Sequence, residues 1–162
     1  MAILNPNEIF FTAFEPKQTN RFILYMDGVP SYLVKGVSAV SLAQTAVPLN
    51  HINVQRYVKG KTIWNTISFT LYDAITPSGA QAVMEWVRLG HESVTGRDGY
   101  SDFYKKDITF NVIGPVGDIV SEWIIKGAVI TSAGFGDYNW DDDGTPTNIA
   151  VEVQPDYCIL NF

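Results

Sequence analysis

The chain has 162 residues, room for one domain with a real core, and its 17 acidic against 11 basic residues leave a net charge of −6. That sign argues against tight nucleic-acid binding, which needs cations to neutralise phosphates, and no apolar run approaches the roughly 20 residues of a membrane-spanning helix. A single cysteine, Cys158, excludes an internal disulfide and a cysteine-based zinc site, and suits a reducing compartment.

Residues 1–20 carry apolar anchors (Ile3, Leu4, Ile9, Phe10, Phe11, Phe14) among Asn, Pro and Glu, with no sustained period. They have no basic start and no long apolar stretch, so they are not read as a signal peptide. Three Phe in a terminal segment point to an extended arm lying on an apolar surface, either a partner's or the chain's own core. Residues 21–29 read as a strand with apolar side chains on both faces; Asp27-Gly28 then makes a turn and residues 31–40 return.

Residues 50–73 read as a long projecting hairpin. Ile52, Val54 and Val58 share a parity, Lys59-Gly60-Lys61 supplies the turn, and alternation resumes with Ile63, Ile67, Phe69 and Leu71 against Thr62, Trp64, Thr66, Ser68, Thr70 and Tyr72. Arg56, Lys59 and Lys61 make its tip basic. The helix spans 78–91, capped by the Ser78 hydroxyl, with Ala80, Val83, Met84 and Val87 in one stripe. That stripe is read as core. Residues 91–104 form a loop, and 106–114, 118–126 and 128–135 three strands. An acidic turn follows, and residues 147–160 close the chain as a strand in which Pro155 implies a bulge or an edge.

Chemistry is hard to find in these residues. Asn139 to Gly144 begins like a calcium loop, but position twelve holds Ala150 and Pro146 interrupts it. Starting at Asp141 brings Glu152 to position twelve and misplaces Gly144. A solvated acidic turn is the better reading. His51 and His91 lack spaced partners; there is no nucleophile elbow, phosphate loop or complete dinucleotide fingerprint. We therefore expect no enzyme activity, no cofactor and no metal.

The order of elements carries a resemblance. The stretch from Ile52 through Arg56, Lys59, Lys61 and Trp64 to Asp73, followed by a helix containing Glu85-Trp86, resembles the tail tube proteins of contractile-tailed bacteriophages. So does Tyr138-Asn-Trp-Asp-Asp-Asp-Gly144 leading into the strand from Ile149 to Tyr157. The resemblance covers nearly the whole chain and implies a mainly β fold with one helix, its two antiparallel sheets packed as a sandwich or partly closed barrel, in a single domain over 1–162.

It also implies a structural role: six copies in a ring, rings stacked into the hollow inner tube of a contractile tail, and DNA passing through the lumen without specific binding. Partners would be other copies, the sheath protein, the baseplate and the tape-measure protein, with no membrane anchor; the place would be the virion tail, after synthesis in the host cytoplasm. Pairing sheet edges around a ring removes free edges, and head-to-tail stacking does not close. The expected contacts between subunits are Arg56, Lys59, Lys61 and Trp64 on the hairpin, Asp141, Asp142 and Asp143 on the acidic turn, and Phe10, Phe11 and Phe14 on the arm. Net acidity either keeps DNA from sticking to the lumen or simply confers solubility. The alternatives are the tube of a tailocin or a type VI secretion-like machine, and, from another class, a monomeric carbohydrate-binding β-sandwich using Trp64, Trp123 and Trp140 as stacking platforms.

Overall fold

A computed structural model describes residues 15–162. The strands are β1 (Phe22–Met26), β2 (Val34–Val37), β3 (Leu42–His51), β4 (Val54–Trp64), β5 (Ile67–Tyr72), β6 (Lys106–Ile113), β7 (Ile119–Gly134), β8 (Asn148–Gln154) and β9 (Tyr157–Leu160). Two helices, α1 (Gly79–Gly90) and the single turn α2 (Ser101–Tyr104), lie between β5 and β6. Neither is long and apolar enough to cross a membrane.

Two antiparallel sheets share one strand. The first half of β7 pairs with β6, and β6 with β1; its second half pairs with β8, then β5, then β2. β9 continues the line of β8 along β7, so that Gln154 faces Val129 and, past Pro155-Asp156, Tyr157 faces Lys126. The closing strand is thus a single run broken where proline has no N–H to donate, as its sequence implies. β1 and β2 sit at the two ends of this order and do not pair, so the barrel stays open.

The core lies between the sheets. Ile67, Phe69 and Leu71 on β5 face Val153, Val151 and Ile149 on β8, all almost fully buried because period-2 alternation sends every second side chain inward. Leu24, Ile108 and Ile125 complete it from the other sheet, and Val83 and Trp86 of α1 pack on top. Each such side chain contributes about 1.5–3 kcal/mol by leaving water. α1 starts where expected: the Ser78 hydroxyl accepts from the Gln81 N–H at 3.3 Å, and Asp73 Oδ1 accepts from the Ala80 N–H, also at 3.3 Å. At its other end the Trp86 indole N–H donates to the Tyr104 carbonyl at 2.6 Å, tying α2 to α1.

Three expectations are corrected. The strands at 21–29 and 31–40 do not form a hairpin: the turn at Gly28 (φ 83°) and a 3-10 turn at Ser31–Leu33 send β1 and β2 into different sheets. The two strands at 118–126 and 128–135 are one strand, because Gly127 takes a positive φ of 63° and bends β7 without ending it. Asp107 fastens that bend: its Oδ2 accepts from Lys126 Nζ at 2.7 Å and its Oδ1 from the Gly127 N–H at 3.2 Å. Lys105 holds Asp156 at 2.7 Å beside it. The third correction concerns the long hairpin.

Candidate assembly surfaces

The hairpin spans Leu42–Trp64 where 50–73 was expected, and it turns elsewhere. β3 and β4 form a separate two-stranded sheet, from Leu42 opposite Trp64 to His51 opposite Val54. The chain reverses at Ile52-Asn53, where Ile52 is fully exposed with a φ of 34°, a left-handed conformation that a β-branched residue seldom adopts. Lys59-Gly60-Lys61 is not a turn. It lies mid-strand, where Gly60 and Lys61 oppose the single residue Thr45 in a β-bulge. A side chain at position 60 would collide with the Thr45 carbonyl at 2.8 Å, so the position needs glycine. The basic residues therefore run along the stem, and the tip itself is uncharged.

Register defines the two faces of the hairpin. Val47 opposite Val58, Leu49 opposite Arg56 and His51 opposite Val54 share one face with Ile63, while Lys59, opposite Ala46, points to the other. Val47, Leu49, Val54, Val58 and Ile63 are all more than 40% exposed. Each has a β-branched or branched apolar side chain, yet nothing among the described residues covers the stripe. Exposed, contiguous apolar surface of this kind marks an interaction site. Ile63, expected with the core set, belongs to this exposed stripe, whereas Trp64 packs against the core. The cause is the break at Asn65-Thr66, pinned by the Asn65 N–H donating to the Ser41 carbonyl at 3.0 Å, which shifts the parity between β4 and β5.

The acidic turn sits at the opposite end of the sandwich. The hairpin leaves at the Ile67–Val153 end of the β5–β8 pair, and the turn enters β8 at the Tyr72–Asn148 end. These ends are about 17 Å apart along the strands. Within the turn, Asn139 Oδ1 accepts from the Asp141 N–H at 3.2 Å, and Asp142 Oδ1 from the Thr145 hydroxyl at 2.7 Å. Asp141, Asp142 and Asp143 are exposed, and Trp140 stands fully exposed beside them. No three His, Cys, Asp or Glu side chains gather as metal ligands among the described residues. Phe10, Phe11 and Phe14 lie outside the described residues.

The expected contact residues thus fall at two ends of the fold. Arg56, Lys59 and Lys61 belong to the hairpin rooted at one end of the β5–β8 pair, and Asp141, Asp142 and Asp143 to the turn at its other end. Sequence reading missed β3, and with it half of the apolar stripe. Its only signal was Val47 and Leu49 at alternate positions, masked by Pro48 between them.

No protein-family model matches the chain, and no curated protein matches it in sequence. Among solved structures it is similar to a chain of the sheath/tube terminator of an extracellular contractile injection system (PVC) in the extended state, with a TM-score of 0.75 and 15% identity over 93% of this chain and 100% of that one. A chain of the PVC sheath-tube complex gives 0.71 at 15% identity over 98% and 99%. Hcp1 from Flavobacterium johnsoniae gives 0.55 at 15% identity over 87% and 94%. At such identities the likeness is one of fold.

Proposed function

We propose that this chain is the structural subunit of the inner tube of a contractile injection machine, assembling as stacked hexameric rings around a hollow lumen and carrying no catalytic site. The observation that carries this reading is the placement of a basic, apolar-striped hairpin and an acidic turn at opposite ends of one sandwich. A surface at one end that complements a surface at the other cannot be satisfied within a single copy. It joins copies head to tail, and such contacts extend into a filament. Arg56, Lys59 and Lys61 of one ring then face Asp141, Asp142 and Asp143 of the next, while Val47, Leu49 and Val58 lose their exposure to water.

The partners in this reading are further copies, a surrounding sheath, a baseplate that starts the stack and a tape-measure protein. The similar structures are named for injection systems, which supports an injection-machine or tailocin tube, whose cargo need not be DNA, alongside the phage tail that ejects DNA. The virion tail is the corresponding place in the phage case, reached after synthesis in the host cytoplasm. A carbohydrate-binding role is disfavoured, because Trp64 and Trp123 pack on the core and leave only Trp140 as a free platform among the three.

Electron microscopy of the purified protein tests the assembly, with rings or hollow tubes as the expected result. Reversing Lys59→Glu and Lys61→Glu places like charges opposite the acidic turn, a juxtaposition that costs several kcal/mol, and should reduce tube content at least about tenfold. Adding Asp141→Lys and Asp143→Lys should restore it. Unchanged tubes at low salt in the first variant would sink the charge pairing, and a monomer at high concentration would sink the tube.

A further inference from the structure

Part of one edge of β7 carries no partner strand among the described residues. Pairing with β6 ends where Lys106 faces Ala128, and β8 occupies only the other side of β7 beyond that point. From residue 129 to 135, the edge away from β8 has no partner strand among the described residues. A groove of about 610 Å³ lies there, lined by β7 together with Met84, Trp86 and Val87 of α1 and by Tyr104. Consecutive residues of β7 (Val129, Ile130, Thr131, Ser132 and Ala133) line this groove. A groove over a sheet face would be lined by every second residue, so this one opens onto the strand's edge, with its free N–H and C=O groups.

An extended segment entering there would gain backbone hydrogen bonds from β7 and apolar contact from Met84, Val87 and Phe135. The chain contains a segment of that chemistry. Residues 9–14 (Ile-Phe-Phe-Thr-Ala-Phe) are six uncharged residues with three aromatic rings, matched in length to the edge.

The tether of the same chain is too short to bring all of residues 9–14 to this edge. Lys17 lines a cavity with Val112 and Phe110, and the Ile113 N–H donates to the Arg21 carbonyl at 3.0 Å, which places this part of the chain at the end of β6 remote from the groove. From Val112 back to Lys106 is about 20 Å of strand. Phe14 is three residues from Lys17 and extends at most about 11 Å. Phe14 therefore stops short of its own β7 edge, and the run 9–14 cannot be seated there along its full length by its own chain.

We propose that the open edge of β7 under α1 receives the arm segment 9–14 of a neighbouring copy as an added strand. This rests on the reading of the chain as a tube subunit. It gives the arm a defined seat and gives that edge of β7 a partner, a contact separate from the hairpin and the acidic turn.

The test uses full-length protein with the photoreactive analogue p-benzoylphenylalanine in place of Phe11, mixed with isotope-labelled protein, assembled, irradiated and mapped by mass spectrometry. The expected cross-links join position 11 of one copy to residues 129–135 or 84–91 of another. Ser132→Arg in the receiving copy, which sets a charge on that edge, should lower their yield about tenfold. Visible tubes whose arm cross-links fall elsewhere, fall only within one copy, or ignore Ser132→Arg would overturn the seat and leave the tube reading standing. Protein that remains monomeric without intermolecular cross-links would overturn both.

Discussion

Asp107 holds Lys126 across the bend of β7, Oδ2 accepting from Nζ at 2.7 Å, while its second oxygen accepts from the Gly127 N–H. One carboxylate on β6 thereby fixes the residue where β7 passes from one sheet to the other. The Lys126 ammonium first, then the Gly127 N–H, hold the Asp107 carboxyl below the usual carboxylate range.

A pH dependence follows from that direction. A carboxyl with a depressed folded pKa adds stability that is fully present above its unfolded value, near 4, and is lost as pH falls through the folded value. Asp107→Asn should lower stability at neutral pH by about 0.5 kcal/mol, a small figure because solvent screens this half-exposed pair. Thermal melts of both proteins from neutral pH down to about pH 2 should converge in acid. A gap that persists there would assign the stabilisation to something other than the carboxylate's charge.

Leu71 is fully buried on β5, opposite Ile149 of β8 on one side and Val34 of β2 on the other. Leu71→Ala removes its contacts and leaves a cavity in a close-packed interior, at a cost of about 2–5 kcal/mol. Urea unfolding of the monomer measures it. A loss under about 1 kcal/mol would contradict the packing described for β5.

Cys158 is buried on β9, and burial pushes its thiol pKa up to about 11. Since the thiolate is the nucleophile, a thiol reagent near pH 8 should react slowly with folded protein and fully in denaturant. Rapid modification of folded protein would mean that β9 leaves β7 readily.

The sequence made the core strands and the helix legible, and it did so for a common reason. β5, β8 and α1 have one face against the core, so burial imprints its period on Ile67, Phe69 and Leu71, on Ile149, Val151 and Val153, and on Val83 and Trp86. Elements without a buried face carry no such imprint. β3 and β4 are exposed along most of their length, and local signals there misled: Lys-Gly-Lys looks like a turn and is a bulge, Pro48 looks like a breaker and lies within β3, and the real turn uses Ile52 where glycine or asparagine is the common choice. Gly127 also reads as a strand end, although β7 continues through it with a positive φ. The charged residues of the candidate surfaces were identifiable from the chain itself. Their separation to opposite ends was not, because it depends on which strand pairs with β8.

The shared strand and the detached hairpin respond differently to force. β7 is bonded in succession to β6, β9 and β8, so a pull along it loads many hydrogen bonds in shear at once. Among the described residues β3 and β4 have strand pairing only with each other, besides the Gln154 amide N–H that donates to the Trp64 carbonyl at 2.7 Å, and a pull that separates them opens one pair at a time, like a zipper. The sandwich is mechanically stiff and the hairpin compliant, so a lateral strain on a stack of such subunits would be absorbed at its joints and spare the bodies between them.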